Sequence, residues 1–371
     1  FTATFDKDGQ VYSGGIVFGP GWQNIPGDTG FLPTPGAYQD TFAGGTFYPC
    51  DMGIIKYTPN GTSRIYATYL GGSLNEAPHS LVVTGAGDLL ILGTTGSANF
   101  PTTIFAYDST FNGGFSITSS SSIEYVNGSD IVVAKLSADG TALAASTYIG
   151  GTGNDGLNTS ISTRYNYGDD FRGEIIVDGS GNCYVATTTA SNNFPVVNGF
   201  QPTFGGGLQD GCVFKMNAGL TTLIWSSYLG GSDADAAYAV QFDQSFDVFV
   251  CGGTVSDNFP ITGGALFTSR QGGVDGYVAH ISGNGSNLVN SSFIGTPLYD
   301  QAYFVQLDSS GNVYLLGQTM GNYPVVPDST VGTIYSNPGG NQFIHKLNNA
   351  LSGTIFSTVY GTGGGIPNIS P

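Results

Sequence analysis

One phrase returns along this chain and limits what it can fold into. An aromatic and an aliphatic residue are followed by paired glycines, as Ala67-Thr-Tyr-Leu-Gly-Gly72, Ser146-Thr-Tyr-Ile-Gly-Gly151 and Ser226-Ser-Tyr-Leu-Gly-Gly231. Ser291-Ser-Phe-Ile-Gly-Thr296 is a fourth copy, and Ser357-Thr-Val-Tyr-Gly-Thr362 is a degenerate fifth. The first four copies are spaced 79, 80 and 65 residues apart. A period of this size marks one supersecondary unit that stacks against copies of itself to bury its apolar faces.

Two further markers fill in the unit. The first is a polar turn between alternating apolar residues, the signature of a β-hairpin. It occurs as Phe5-Asp-Lys-Asp-Gly-Gln-Val-Tyr12, Val83-Thr-Gly-Ala-Gly-Asp-Leu-Leu90, Val177-Asp-Gly-Ser-Gly-Asn-Cys-Tyr184, Phe242-Asp-Gln-Ser-Phe-Asp-Val-Phe249 and Leu307-Asp-Ser-Ser-Gly-Asn-Val-Tyr314. Phe-Pro or Tyr-Pro follows in four units, at Pro101, Pro195, Pro260 and Pro324, where the missing N–H ends a strand. The second marker is Asp-x-x-apolar-x-Lys, running from Asp51 to Lys56, Asp130 to Lys135 and Asp210 to Lys215. Asp275 to His280 and Asn341 to Lys346 are its variants. Four of the chain's five lysines fall at this position, which predicts a structural role at a strand end, near a carboxylate or carbonyls.

Each unit therefore carries about four strands, and the expected architecture is an all-β β-propeller of about five four-stranded antiparallel blades. The units run about 1–72, 73–151, 152–231, 232–296 and 297–365, as a single domain. Composition agrees. Gly makes up 59 of 371 residues, and only 9% are charged, so the usual surface residues of helices are scarce. A net charge of -17 excludes phosphate neutralisation and hence nucleic-acid binding. Apolar runs such as residues 89–92 are far short of a membrane span. The chain begins at Phe1 without a leader pattern, which reads as a processed or excised segment. Residues 366–371 resemble the lead-in to a further hairpin strand, so the ends either meet in a closed five-bladed ring or belong to a longer propeller; a closed ring is the preferred expectation. Cys50, Cys183, Cys212 and Cys251 lack metal-type spacing and read as buried apolar residues, with a Cys183–Cys212 bridge as the alternative.

The run Tyr228-Leu-Gly-Gly-Ser232 with Asp235, and the turn Asp308-Ser-Ser-Gly-Asn-Val-Tyr314, resemble the bacterial β-propeller repeats known as the SBBP family. The resemblance extends over essentially the whole chain. It implies a propeller from a large secreted or surface-attached bacterial protein, including Bacteroidetes proteins exported by the type IX route. It carries no catalytic motif.

Candidate sites come from repeats and from departures from them. Glu76, Asp155, Asp235 and Asp300 lie four residues past the glycine phrase, and a ring of such carboxylates could hold calcium. The alternative is a turn-capping acid bonded to backbone N–H groups. A second set of acids, Asp6, Asp178, Asp243 and Asp308, opens the hairpin turns and suits Asx-turn geometry. Two insertions, residues 116–129 and 157–172, bring Glu124, Tyr125, Tyr165, Tyr167, Asp169 and Asp170 to what reads as a binding face. Ser109 and Ser329, in Asp-Ser-Thr triplets, resemble acceptors of Bacteroidetes O-glycosylation. No nucleophile elbow or metalloprotease helix occurs. The expected function is a non-enzymatic extracellular scaffold or interaction module of a surface or filament assembly, with other protein subunits or surface glycans as partners. A glycan- or protein-binding adhesin and a hydrolase or lyase with carboxylates near the axis are its rivals.

Overall fold

The computed structural model describes residues 2–19, 30–44, 49–330 and 332–362, so the segment 366–371 lies outside the described residues. Almost everything described is strand or turn. Sheet 1 is built from β1 (Thr2–Phe5), β2 (Val11–Phe18), β3 (Cys50–Tyr57) and β4 (Arg64–Leu70). Sheet 2 starts with β5 (Glu76–Val83) and β6 (Leu89–Thr95), is interrupted by a small separate sheet of β7 (Ile117–Thr118) and β8 (Glu124–Tyr125), and resumes with β9 (Asp130–Leu136) and β10 (Leu143–Ile149). Sheet 3 holds β11 (Glu174–Val177), β12 (Cys183–Thr189), β13 (Asp210–Met216) and β14 (Leu223–Leu229). Sheet 4 holds β15 (Asp235–Phe242), β16 (Val248–Thr254), β17 (Asp275–Ile281) and β18 (Leu288–Ile294). Sheet 5 holds β19 (Asp300–Leu307), β20 (Val313–Thr319), β21 (Gln342–Leu347) and β22 (Thr354–Tyr360). There are thus six sheets among the described residues, five of them four-stranded antiparallel meanders.

The pleat of the strands explains why the sheets stack. Successive side chains leave opposite faces of a strand. In β6, Leu89 and Ile91 pack with Tyr12, Ile54 and Tyr66 of sheet 1, while Leu90 and Leu92 pack with Cys183, Val185 and Phe214 of sheet 3. In β16, Val248 and Val250 turn to Tyr184 and Trp225 of sheet 3, and Phe249 and Cys251 to Val313 and Leu315 of sheet 5. Both faces of the middle sheets are apolar because both are covered. The outer faces of the series differ. Phe5 is 75% exposed, whereas Val83, Val177, Phe242 and Leu307 at the same repeat position are packed against core clusters.

The hairpin turns follow one pattern. Asp6, Asp178, Asp243 and Asp308 each accept two backbone N–H bonds, from the residues two and four further on, at 2.8–3.0 Å. These are the Asx turns the sequence suggests. The lysines behave as expected of strand ends. Lys56 and Lys135 donate to the carbonyls of Ala138 and Ala218 in the following sheet, at 3.1 and 2.6 Å. Lys215 and Lys346 pair with the turn carboxylates Asp178 and Asp308 at 3.6 and 2.9 Å. All four cysteines are free and buried. The Cys183–Cys212 bridge is corrected: in the β12–β13 register Cys183 faces Met216 and Cys212 faces Thr187, so the thiols are not opposite one another.

Candidate functional site: the axial cavity

The first strands of the five larger sheets, β1, β5, β11, β15 and β19, all contribute to one cavity of about 850 Å³. Its lining includes Phe5, His79, Arg172, Glu174, Tyr238 and Tyr303. The first strand of each four-stranded sheet thus borders one shared space.

The segment between β10 and β11 spans one end of this space. It contains a single 3-10 turn, Asp169–Phe171, entered through Gly168 at φ 84°. Its polar groups are spent on the sheets beneath. The Tyr238 hydroxyl donates to the Thr163 carbonyl at 2.7 Å, and Gln301 Nε2 donates to the same oxygen at 3.0 Å. Asn166 Nδ2 donates to the Tyr303 hydroxyl at 2.9 Å and to Gln318 Oε1 at 3.1 Å. Gln209 Nε2 donates to Asn158 Oδ1 at 2.8 Å. Tyr238 and Tyr303 stack at 5.2 Å with an interplanar angle of 5°, and the Arg172 guanidinium lies 4.3 Å from the Tyr303 ring. Arg172 also pairs with Asp169, and Arg164 with Asp170 at 2.6 Å.

Glu174 is the one carboxylate among the described lining residues. It opens β11 directly after the covering segment, and its Oε2 accepts the Val240 N–H at 2.8 Å. Burial raises its pKa to about 7, with the Val240 bond opposing the rise. A carboxyl poised there can give or take a proton near neutral pH. His79 is a different case. Burial lowers its pKa to about 3, and its Nε2 meets Thr94 Oγ1 at 2.8 Å, so it stays neutral in the wall.

The sequence-derived candidates divide. Among the described residues Glu76, Asp155, Asp235 and Asp300 do not gather into one metal-holding group. Each is fully buried at its own sheet junction and accepts the backbone N–H four residues earlier, from Gly72, Gly151, Gly231 and Thr296, at 2.6–3.1 Å. Thr95 and Thr189 complete two of these caps, and Ser256 a third. This is the turn-capping alternative.

Among the inserted residues, Tyr125 is fully buried beside Cys50, Ile123 and Leu157, and so is not a contact residue. Asp169 and Asp170 are likewise buried, anchoring the covering segment through the two arginines rather than facing a partner. Glu124 lies half-buried, with its carbonyl accepting from Asn75 Nδ2 at 2.7 Å. Tyr167 is 67% exposed, and the Tyr165 ring lies tilted against Tyr299, with centroids 4.5 Å apart. Ser109 and Ser329 are exposed, each in a turn where the following Thr N–H donates to the preceding Asp at 2.7 Å. Reading the repeats passed over Glu174, Arg172, Tyr238 and Tyr303. Their signal was positional: the irregular segment ends in Arg172-Gly-Glu174 immediately before a first strand.

No family model and no curated protein matches the sequence. Solved structures similar in fold include a Dyadobacter fermentans protein of unknown function, at 11% identity and a TM-score of 0.46, covering 98% of this chain and 83% of that one. The NanB sialidase of Streptococcus pneumoniae is similar at 9% identity and a TM-score of 0.44, over 95% of this chain and 59% of the sialidase. The exo-β-1,3-galactanase of Phanerochaete chrysosporium is similar at 11% identity and a TM-score of 0.36, over 96% and 65%. The chain thus spans somewhat under two thirds of the length of these two enzymes. At such identities the likeness concerns the fold alone. The expectation of a non-enzymatic scaffold is corrected on the cavity itself, which holds in Glu174 an ionisable group raised by burial to about 7 and so suited to proton transfer.

Proposed function

We propose that this chain is a secreted or surface-exposed propeller that cleaves a glycan in its axial cavity, with Glu174 as the proton-transferring group. The observation that carries the reading is Glu174 itself: an acid half-buried in a large cavity, its pKa raised to about 7, with Arg172 and two tyrosines around it. The five four-stranded sheets are taken as five blades about this axis, with the seam between sheets 1 and 5. The resemblance of the repeats to the SBBP family supports the secreted setting.

The residue set favours elimination over hydrolysis. Glycoside hydrolysis ordinarily needs two carboxyl groups flanking the scissile bond. Glu174 is the sole lining carboxylate among the described residues, and Asp169 is tied to Arg172. A single carboxyl group suits elimination: Glu174 would take the proton next to a sugar carboxylate, the C–O bond to the neighbouring sugar would break as a C=C bond forms, and the departing oxygen would take a proton from water or from the newly protonated Glu174. The test is incubation with a panel of uronic-acid and neutral polysaccharides. Wild type is expected to release products with unsaturated, ultraviolet-absorbing ends, and Glu174→Gln to release at least 100-fold fewer, in line with general acid–base contributions of roughly 10²–10⁴. Unchanged turnover in Glu174→Gln overturns the reading.

A second reading has its own observation. Exposed Tyr167 and the tilted Tyr165–Tyr299 ring pair, with Met320 48% exposed beside it, offer aromatic surface that would suit sugar binding without cleavage. Binding on a glycan array, retained in Glu174→Gln and lost in a Tyr165→Ala, Tyr167→Ala double variant, favours it.

A further inference from the structure

The fourth unit departs from the repeat at four positions that meet in space. In units one, three and five the acid that opens the hairpin turn uses Oδ1 for backbone N–H groups and offers Oδ2 to side-chain donors. Asp178 Oδ2 accepts from Asn182 Nδ2 at 2.9 Å and from the Tyr184 hydroxyl at 3.4 Å, and pairs with Lys215 at 3.6 Å. Asp308 Oδ2 accepts from Asn312 Nδ2 and pairs with Lys346, both at 2.9 Å. Asp6 Oδ2 accepts from the Tyr12 hydroxyl at 3.2 Å, with Lys56 at 4.0 Å.

In unit four all three kinds of donor are gone. Asp247 replaces the Asn, Phe249 replaces the Tyr, and His280 replaces the Lys. The turn glycine is also gone: Phe246 occupies its left-handed conformation at φ 64°. Asp243 Oδ1 still accepts from Ser245 and Asp247 N–H, at 2.8 and 3.0 Å, but no donor reaches its Oδ2 among the described residues.

The replacements bring metal-binding groups together. One ligand atom each from Asp243, Asp247 and His280 lie within 4.8 Å of one another, the one such cluster among the described residues. His280 Nε2 is 3.3 Å from Asp247 Oδ2, while Asp247 Oδ1 accepts the Gly283 N–H at 2.7 Å. The imidazole stacks on Phe249 at 4.2 Å, which fixes its plane. His280 is 5% exposed, and its Nδ1 finds no hydrogen-bond partner among the described residues. Where units one, three and five set one turn carboxylate near one lysine, this unit sets two carboxylates beside one imidazole.

We propose that Asp243, Asp247 and His280 bind a divalent first-row transition metal, zinc by preference. Zinc takes both imidazole nitrogen and carboxylate oxygen, and a site with three protein ligands keeps a fourth position for water, for which the partly exposed carboxylates leave room. Calcium is disfavoured because it takes six to eight oxygens. The metal would tie the β15–β16 turn to β17, as the lysine does elsewhere. The site is independent of the axial reading, since none of its three residues lines that cavity.

The experiment exploits the repeat. His280→Lys and Asp247→Asn install residues that other units already carry, so both variants are expected to fold. Chelator-stripped wild type, titrated with Zn²⁺ and measured for bound metal after dialysis, is expected to retain one equivalent. Co²⁺ in its place is expected to give a visible absorption spectrum that Zn²⁺ quenches. Each variant is expected to bind at least tenfold more weakly, and Zn²⁺ is expected to raise the melting temperature of wild type but not of His280→Lys. Absence of stoichiometric zinc in wild type, or zinc binding unchanged in both variants, overturns the proposal and leaves a His280–Asp247 ion pair. Should one variant fail to fold, Asp243→Asn supplies the same comparison.

Discussion

Asp130 and Asp155 face each other across the backbone of Gly150: a methyl carbon built on that glycine would lie 2.9 Å from Asp130 Oδ1 and 2.8 Å from Asp155 Oδ2. Asp51 and Glu76 do the same across Gly71, each 2.6 Å from the corresponding position. The glycine phrase that defines the repeat is thus the spacer that lets a strand-opening Asp of one sheet approach the capping acid of the next. Both acids of each pair are fully buried, and a buried charge is costly unless paired, so they are held partly protonated.

A pH dependence of stability follows. Burial raises Glu76, Asp130 and Asp210 to about 8, and Asp155 and Asp235 to about 7, with the neighbouring acid adding to the rise for Glu76, Asp130 and Asp210. Unfolded, these groups return to about 4 and bind fewer protons than the folded protein across the interval between, so stability falls as pH rises through it. The buried neutral histidines work the other way. His79 and His345, lowered to about 3 and about 4, cost stability as pH falls below 6.5. Between pH 6.5 and 8 the acids act largely alone. The melting temperature is expected to drop by several degrees over that window, and Asp130→Asn to flatten the drop. A melting temperature that rises from pH 6.5 to 8 contradicts the account.

Gly150→Ala tests the spacer directly. The added carbon meets two carboxylate oxygens well inside van der Waals contact, and overpacking of this kind costs about 1–3 kcal/mol. Gly219→Ala is the comparison, because its nearest neighbour is 3.5 Å away on Thr221 and its φ is not left-handed. Chemical denaturation is expected to show a clear loss for the first and a change near zero for the second.

The sequence makes the sheets legible because their cause is periodic. The glycine phrase, the hairpin acids and the single lysine position repeat for steric and hydrogen-bonding reasons that hold in every unit, so five meanders can be counted from them. Asp155 could be seen as a recurring acid, but its role could not: whether such acids cap turns or ring an axis depends on Gly150 and Asp130 in space. Glu174 and Arg172 were hidden for the opposite reason. They sit where the repeat is broken, and nothing in periodicity says that residues 157–172 fold back over the axis. His280 lay between these cases, visible as an exception at the lysine position while its partners Asp247 and Phe249 looked like ordinary drift.

Lys215 measures what the repeated lysine contributes. Its ammonium donates to the Tyr184 hydroxyl at 2.6 Å, lies 4.4 Å from the Tyr184 ring and pairs with Asp178, whose side chain is 4% exposed. Removing one partner of a largely buried pair leaves the other charge stranded, so Lys215→Met is expected to cost about 3–5 kcal/mol. Lys7, with its side chain 80% exposed against Asp8, is the control, and Lys7→Ala is expected to be silent in the same denaturation experiment. Combining Lys215→Met with Asp178→Asn should recover part of the loss, since the stranded carboxylate is then neutral.

Arg172 tests whether the covering segment is held over the cavity by charge and stacking. Its guanidinium joins Asp169, within that segment, to the Tyr238–Tyr303 stack of sheets 4 and 5. Arg172→Leu keeps an apolar stem but leaves buried Asp169 without its cation, while the segment's contacts through Thr163 and Asn166 remain. The expected result is a local one. Limited proteolysis within residues 157–172 accelerates at least tenfold, and the melting temperature of the sheets changes by only a few degrees. Because the sheets are built on clusters that exclude Arg172, a global loss of the folded state would show that the segment is part of the fold's foundation rather than a cover on its axis.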